Sequence, residues 1–205
     1  MFEVSVFIEN LSKKPNAFIM PPEYAVSKVA ELVSAETRVL DVGTELGKNA
    51  QAFLNKNCRV TLMDISAKAI ELTRDLLKEQ DKLHLVEESL VCSIEEMPDL
   101  GFYHAIVSSY VFSFVARSSF ESVLVEKVFR KLEAGGYFAA HFFGENHAWK
   151  DMAGVNTVSE EDLKRILLEN DLSIKLFEER LDKRISVNHG EVLNHDFAII
   201  AQKNT

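Results

Sequence analysis

The sequence has little of several features that would mark a particular class of protein. It contains two cysteines, Cys58 and Cys92, which form no CxxC pair, so neither a disulfide framework nor a metal site such as zinc is expected. No stretch rich in proline, glycine or serine divides the 205 residues, which predicts a single domain over residues 1–205. No segment approaches the ~20 apolar residues that span a bilayer, and the N-terminus has no basic start. We therefore expect no membrane partner and a cytoplasmic location.

Positive charge is also scarce. The chain has 23 Lys and Arg against 32 Asp and Glu, which gives a formal net charge of −9 at pH 7. Binding to DNA or RNA depends on clustered basic side chains that displace counterions from the phosphates. The charge therefore argues against a nucleic-acid partner.

The most informative segment is residues 38–47, in which an apolar strand runs into Asp41 and then into Gly43 and Gly47. In a nicotinamide-binding unit the glycine loop follows the strand directly, and the acid comes roughly 20 residues later. Here an acid inside the turn would repel a pyrophosphate and attract a cation. Asp64 ends the next apolar run, where ribose hydroxyls find an acceptor. Together the acids indicate a nucleoside that carries positive charge.

Four segments carry a resemblance to a known family. They are Val-Leu-Asp-Val-Gly-Thr-Glu-Leu-Gly at 39–47, Gly-Lys-Asn-Ala at 47–50, Val-Thr-Leu-Met-Asp-Ile-Ser at 60–66 and Leu-Glu-Ala-Gly-Gly-Tyr at 132–137. In order and spacing they resemble the motifs of the class I S-adenosylmethionine-dependent methyltransferases, and in detail those of the tellurite-resistance-like group that acts on small molecules. The resemblance implies S-adenosylmethionine as cofactor, S-adenosylhomocysteine as product and a small-molecule acceptor.

Apolar periodicity alternates between strand and helix along the chain, which predicts a doubly wound α/β sheet with helices on both faces. The resemblance adds the Rossmann-like seven-stranded order 3-2-1-4-5-7-6 with the last strand antiparallel. Ser66 and Ser159 are predicted helix N-caps. A helix is predicted from Ser118 or Ser119 through Leu132, and two late strands over residues 174–177 and 197–201.

The resemblance also implies the residues that bind the cofactor. They are Asp41, Gly43, Thr44, Glu45, Gly47, Asp64, Ile65, Ser93, Ile94 and Ser109. Asp41 would neutralise the ammonium or sulfonium region, Asp64 would accept the ribose hydroxyls, and Ile65 would cover the adenine. Ser93 stands where the family usually has an acid. Glycine usually stands at Glu45, so either the loop avoids positive φ there or the carboxylate takes part in binding.

Two histidines are the candidates for a catalytic base. The implied topology brings His141 and His195 to the ligand edge of the sheet, and their ordinary pKa of about 6.5 suits proton transfer from an oxygen or nitrogen acceptor near neutral pH. A thiolate or an anion of the tellurite type would need no base. Methyl transfer from a sulfonium is an in-line displacement, so the protein mainly aligns the acceptor and excludes water.

Two segments outside the alternating pattern are candidate lids, residues 1–22 at the N-terminus and residues 145–157. Two other functions stay open at this stage. An aminopropyltransferase on the same scaffold usually has acids after the fourth strand to hold a polyamine, and Ser108-Ser109-Tyr110 offers none. The other alternative is a non-catalytic relative that keeps the fold as a binding module.

Overall fold

The computed structural model describes residues 4–13, 23–186 and 190–205. The α-helices are α1 (Val4–Ser12), α2 (Tyr24–Leu32), α3 (Lys48–Leu54), α4 (Ala67–Glu79), α5 (Phe120–Val123) and α6 (Glu160–Glu169). The strands are β1 (Arg38–Val42), β2 (Arg59–Asp64), β3 (Val86–Val91), β4 (Tyr103–Ser109), β5 (Leu132–Phe143), β6 (Leu172–Ser186) and β7 (Gly190–Lys203).

The seven strands form one sheet in the order β3-β2-β1-β4-β5-β7-β6. Neighbours from β3 to β5 pair in parallel, whereas β7 runs antiparallel to both β5 and β6. The predicted order and the antiparallel last strand are confirmed. Because the carboxyl ends of the parallel strands share one edge with the start of β7, residues far apart in sequence meet there.

Both faces of the sheet are covered. Along β1, Val39 belongs to an apolar cluster with α2 and α3, whereas its neighbour Leu40 belongs to a cluster with α5 and α6. Successive side chains of a strand point to opposite faces, so a strand buried on both sides reads as a continuous apolar run. Helix α1 packs separately, since Ile8 contacts a small cluster with Leu46 and Ala69 beside α4.

The helix predicted up to Leu132 is shorter and less regular than its sequence pattern. It begins at Phe120 with α5, widens into a π-helical turn over Leu124–Val128 and tightens to a 3-10 turn over Phe129–Lys131 before β5 starts. The ring of Phe129 packs edge-on against Phe138 of β5, with centroids 5.5 Å apart. This contact joins the end of the helical segment to the strand that follows it.

The last two strands are much longer than the predicted segments. Beyond the pairing of Phe143 with Asp196, β6 and β7 continue as a two-stranded hairpin with no third strand beside it in the described chain. Leu181 and Ile185 are exposed there, and Lys183 pairs with Glu191 across the strands at 2.9 Å. Since the outer part of β6 and β7 is largely polar, apolar periodicity in the sequence did not reveal this part of the strands.

Two other expectations concern a membrane-spanning helix and the candidate N-terminal lid. No helix in the described part of the chain is long and apolar enough to cross a membrane. Of the candidate N-terminal lid, residues 1–3 and 14–22 lie outside the described residues. The single domain over residues 1–205 stays a prediction.

Candidate functional site

The turn after β1 is tied to the end of β2. The backbone N–H groups of Gly43 and Thr44 both donate to the carbonyl oxygen of Met63, at 2.8 and 2.9 Å. Gly43 has φ of +77°, and a Cβ at this position would lie 2.2 Å from Cγ2 of Val111. No side chain fits in that space, so the sequence needs glycine here both for its backbone angle and for the close approach.

Gly47 has a similar role at the start of α3. Its φ is +77°, and an added Cβ would lie 2.8 Å from Cγ2 of Thr73 in α4. Its N–H donates to the carbonyl of Thr44 at 2.7 Å and closes the turn. Gly47 and Thr44 therefore shape the turn and do not line the cleft beside it.

Glu45 adopts positive φ, +49°, so the loop does not avoid the left-handed region. This conformation costs a non-glycine residue about 1–2 kcal/mol. The Glu45 N–H donates to Oδ2 of Asp64 at 2.9 Å, which ties the strained residue to β2. Its side chain lines the cleft, and burial raises the pKa of its carboxyl.

Asp41 is fully buried behind this turn. Its Oδ2 accepts a hydrogen bond from Thr44 Oγ1 at 2.9 Å, whereas Oδ1 has no hydrogen-bond partner among the described residues. Burial raises the pKa of Asp41 to about 7, and the nearby Glu45 and Asp64 carboxylates add to the rise. A buried carboxylate left partly unsatisfied is costly unless a positive charge or a donor compensates it.

Asp64 is held at the end of β2 with its side chain on the cleft. Its Oδ1 accepts the Ser66 N–H at 2.8 Å and its Oδ2 accepts the Glu45 N–H at 2.9 Å. Each carboxylate oxygen can accept a second donor, so the group is fixed in place and still able to bind a ligand. Burial raises its pKa.

A cleft of about 500 Å³ opens at this carboxyl edge of the sheet, where doubly wound folds bind their ligands. Of the ten predicted cofactor residues, the ones that line it are Gly43, Glu45, Asp64, Ile65, Ser93, Ile94 and Ser109. Asp41, Thr44 and Gly47 support it from behind. The structure therefore brings the predicted set together around one cavity.

The far side of Asp64 is more apolar. Ile65 and Ile94 both line the cleft, where Ile65 is 59% exposed and Ile94 belongs to the apolar core. Ser93 Oγ contacts a carboxylate oxygen of Glu96 at 3.3 Å. No group of three His, Cys, Asp or Glu suited to a metal ion occurs within the described ranges.

One lysine lies among the acids beside the turn. Lys48 Nζ is 2.7 Å from Glu23 Oε1 and 3.9 Å from Glu45 Oε2. Burial alone raises the pKa of Glu23, but the ammonium of Lys48 outweighs burial and lowers it. Next to this pair, Asn49 donates to Ser109 Oγ at 3.0 Å, which links α3 to the end of β4.

Neither predicted catalytic histidine lines the cleft. His141 is fully buried, both ring nitrogens have no hydrogen-bond partner among the described residues, and burial lowers its pKa to about 4. His195 Nδ1 accepts the Asn146 N–H at 2.9 Å, and its Nε2 lies 2.8 Å from Glu179 Oε1. The His195 ring also packs against Gly144, so it braces the start of the 145–157 segment. Their role as bases stays a prediction.

The sequence did not reveal the polar cluster at the other end of the cleft. Tyr110 donates to Asp196 Oδ2 at 2.9 Å, and Asn194 Nδ2 donates to Asp196 Oδ1 at 2.6 Å. Arg184 reaches the same carboxylate, with Nη2 at 3.8 Å from Oδ1. The observed strand pairing brings Asn194 and Asp196 to the edge where Tyr110 follows β4, but nothing in the sequence signalled their contacts or the arrival of Arg184 on the long hairpin.

Comparison with known proteins agrees with this geometry. Residues 39–136, which are 98 of the 205 residues, match a family model described as a methyltransferase domain. No curated protein sequence matches the chain. Among solved structures, TehB from Haemophilus influenzae is similar with a TM-score of 0.74 and 19% identity over 89% of this chain. The chain spans 62% of the length of TehB.

Two further structures are similar over their whole length or most of it. One is an S-adenosylmethionine-dependent methyltransferase from Methanosarcina mazei, with a TM-score of 0.66, 19% identity, and coverage of 90% of this chain and 99% of the other. The second is 1,6-didemethyltoxoflavin-N1-methyltransferase from Burkholderia thailandensis, with a TM-score of 0.69, 16% identity, and coverage of 98% and 87%. At these identities the structures establish the fold, and the matched model describes a methyltransferase domain over slightly less than half of the chain. The chain therefore has a methyltransferase domain match over residues 39–136 and the fold of the S-adenosylmethionine-dependent methyltransferases.

Proposed function

We propose that the protein moves the methyl group of S-adenosylmethionine to a small-molecule acceptor bound in the cleft. The observation that carries the proposal is the pair of carboxylates at the turn, with Asp64 fixed on the cleft wall and Asp41 buried behind it. The cofactor is a nucleoside with a positive charge, and these two groups suit its two distinctive features.

The residues present fit this cofactor. The open acceptor sites of Asp64 match the two hydroxyl donors of a ribose. The unpaired Oδ1 of Asp41 adds negative charge that a sulfonium or an ammonium would offset. Gly43 lines the cleft, so the turn brings backbone to the cleft wall where the cofactor would bind. In this arrangement Ile65, Ser93 and Ile94 receive the adenine.

The remaining predicted residues have supporting parts. Glu45 faces the charged end of the cofactor, and Ser109, held by Asn49, lies on the cleft wall at the end of β4. Thr44 and Gly47 keep the turn in shape. The methyl group is already activated by the charge on sulfur, so these residues orient the cofactor and exclude water.

Three observations support a small acceptor. A cleft of about 500 Å³ is in the range of small-molecule sites and has little room for a polymer. The similar Burkholderia enzyme was solved with 1,6-didemethyltoxoflavin and S-adenosylhomocysteine bound. The formal net charge of −9 also argues against a nucleic-acid acceptor.

Calorimetric titration with S-adenosylmethionine, S-adenosylhomocysteine and NAD tests the proposal. We expect micromolar binding of the first two and none of NAD. Asp64→Ala should weaken S-adenosylhomocysteine binding at least tenfold, since a carboxylate with two hydroxyl donors is lost. Asp75→Ala removes an exposed carboxylate from α4 and should leave the affinity unchanged.

Circular dichroism of both variants shows whether the fold is intact. Failure of the unmodified protein to bind either nucleoside at millimolar concentration would contradict the proposal. Equal affinity of Asp64→Ala and Asp75→Ala would remove Asp64 from the cofactor site.

A further inference from the structure

The end of the cleft away from the cofactor residues is built from aromatic rings. Phe143 lies at the centre of this aromatic wall, stacked on His147 with ring centroids 3.9 Å apart and planes 17° from parallel. Tyr110 stacks on the same ring at 5.0 Å, and Trp149 meets it edge-on at 5.6 Å. All four side chains line the cleft. Such rings favour offset or edge-on contact with another flat ring.

The wall carries no charge near neutral pH. Burial lowers the pKa of His147 to about 4, so its ring is neutral. Its Nδ1 accepts the backbone N–H of Trp149 at 3.1 Å, which fixes the ring plane beside Phe143. A neutral, ordered wall of this kind suits an uncharged planar ligand.

The Tyr110 side chain, which lines the cleft, also carries a hydroxyl group whose hydrogen bond is fixed. The Tyr110 hydroxyl gives its hydrogen to the fully buried Asp196, so its oxygen has lone pairs left for a ligand. The second oxygen of Asp196 accepts from Asn194, which holds the carboxylate in position. Tyr110 therefore offers an acceptor to a ligand rather than a donor.

Tyr110 is also held in a strained conformation. Its φ is +66°, which is uncommon for a bulky residue and costs on the order of 1–3 kcal/mol. The strain is maintained by two backbone hydrogen bonds, from Tyr110 N–H to the His141 carbonyl and from Ser113 N–H to the Tyr110 carbonyl, both at 3.0 Å. This backbone turns the side chain onto the cleft directly after Ser109.

We propose that the methyl acceptor is a small planar aromatic molecule that carries an N–H or O–H group. Its ring lies against Phe143, His147 and Trp149, and its N–H or O–H donates to the oxygen of Tyr110. When the acceptor atom takes the methyl group and S-adenosylhomocysteine leaves, this proton would pass to the Tyr110 oxygen while the Tyr110 hydroxyl hydrogen passes to Asp196. The inference rests on the proposed function and names the substrate class of the same site.

The charges at this end disfavour an anionic acceptor. Among the residues that the structure describes, Arg184 is the cation that lines the cleft here. Its Nε lies 3.0 Å from Asp182 Oδ1, and its Nη2 lies 3.8 Å from Asp196 Oδ1. Two carboxylates offset one guanidinium, so little positive charge is left for an oxyanion. An acceptor of the tellurite type is therefore not favoured by this geometry.

A matched set of probes tests the inference on protein saturated with S-adenosylhomocysteine. Saturation-transfer NMR and calorimetry would compare phenol with cyclohexanol, indole with 1-methylindole, and both sets with sodium tellurite. Trp149 is the single tryptophan of the chain, so the side-chain N–H signal of this residue in nitrogen-15 NMR spectra of labelled protein reports binding at the aromatic wall. We expect phenol and indole to bind at least fivefold more tightly than cyclohexanol and 1-methylindole.

Tyr110→Phe separates the ring from the hydroxyl. In this variant indole and 1-methylindole should bind alike, while S-adenosylhomocysteine binds as before. Its melting temperature is checked first, and Phe114→Leu, which trims another ring of the cleft and leaves the Tyr110 hydroxyl in place, serves as a second variant. It should weaken all ring compounds and keep the preference for indole over 1-methylindole.

Equal binding of phenol and cyclohexanol, or tighter binding of tellurite than of either, would overturn the inference. Loss of S-adenosylhomocysteine binding in the unmodified protein is a different result, because it contradicts the proposed function before any acceptor is added. If the nucleoside binds and the aromatic preference is absent, only the acceptor class is wrong.

Discussion

The turn after β1 has no room for a side chain at Gly43. A Cβ would meet Val111 Cγ2 at 2.2 Å, and the φ of +77° disfavours any side chain. The strain has two parts, about 1–2 kcal/mol for the backbone and about 1–3 kcal/mol for the overlap. Both act at the cleft wall, so they affect cofactor binding as well as stability.

Gly43→Ala should therefore lower the free energy of unfolding by a few kcal/mol and weaken S-adenosylhomocysteine binding at least tenfold. Gly154→Ala is the matched control, since Gly154 has φ of +84° and no atom within 4 Å of an added Cβ. Gly154→Ala should lower the free energy of unfolding only by the cost of the backbone conformation, and it should leave the affinity for S-adenosylhomocysteine unchanged. Urea unfolding and calorimetry measure both quantities.

The double variant Gly43→Ala with Val111→Ala removes the overlapping methyl group. Recovery of part of the lost affinity would support the steric cause. If Gly43→Ala and Gly154→Ala behave alike, the close approach to Val111 has no effect on the site.

Some residues of the site could be predicted singly and others could not. Asp41, Gly43 and Asp64 each stand next to an apolar strand in a short segment, so sequence order alone placed them together. Tyr110 and Asp196 are 86 residues apart, and they come into contact only because β4 pairs with β5 and β5 pairs with β7. A contact between residues so far apart in sequence leaves no signal in any short segment.

At the scale of elements, two helices begin with the same cap but at different distances from the cleft. Ser66 Oγ accepts the Ala69 N–H at 3.2 Å at the start of α4, and Ser159 Oγ accepts the Asp162 N–H at 3.1 Å at the start of α6. Both caps were predicted from the sequence and are confirmed. The Ser66 backbone N–H also donates to Asp64 Oδ1, so the start of α4 helps to orient that carboxylate.

Ser66→Ala and Ser159→Ala should each lower the free energy of unfolding by about 1 kcal/mol, because each leaves a helix N–H without its acceptor. Only Ser66→Ala should also weaken S-adenosylhomocysteine binding, since fraying at the start of α4 loosens Asp64. Urea unfolding and calorimetry on both variants distinguish the effects. An equal loss of affinity in the two variants would show that capping acts on the site through global stability.

The hairpin of β6 and β7 shows why elements were harder to predict than motifs. Its core part, near Ile174 and Phe197 to Ala201, is apolar and was predicted as two strands. Its outer part brings Arg184 and Asn194 to the cleft, but pairing between two polar strands depends on backbone hydrogen bonds that leave no apolar period. The acceptor end was therefore less visible in the sequence than the cofactor end.

For the molecule as a whole, the sheet order gathers acids in a region that a folded protein normally keeps free of unpaired charge. Asp41, Glu45 and Asp64 come from two neighbouring strands and the turn between β1 and α3, and burial raises the pKa of all three. A cationic cofactor would relieve this repulsion. The ligand-free protein thus holds the binding site at a cost in stability.

The variant Asp41→Asn should reveal this cost, because its gain in the free energy of unfolding over the unmodified protein should depend on pH. The pKa of Asp41 is about 7 in the folded protein and near 3.8 in the unfolded chain, so between these values only the folded state holds the proton. The carboxyl therefore lowers stability progressively from about pH 4 to pH 7, by up to ~4 kcal/mol above pH 7. Asparagine cannot ionise and still accepts a hydrogen bond from Thr44.

The advantage of Asp41→Asn over the unmodified protein should be small at pH 4.5, grow up to pH 7 and then stay constant, as measured by urea unfolding. His141 and His147, whose pKa values burial lowers to about 4, raise stability as the pH rises from about 4 to 6.5. Both proteins keep these histidines, so their effect cancels in the difference.

Asp75→Asn on the exposed face of α4 should give a flat difference. A flat difference for Asp41→Asn as well would mean that Asp41 is charged in the folded protein throughout this range, and the link between its burial and cofactor charge would fail.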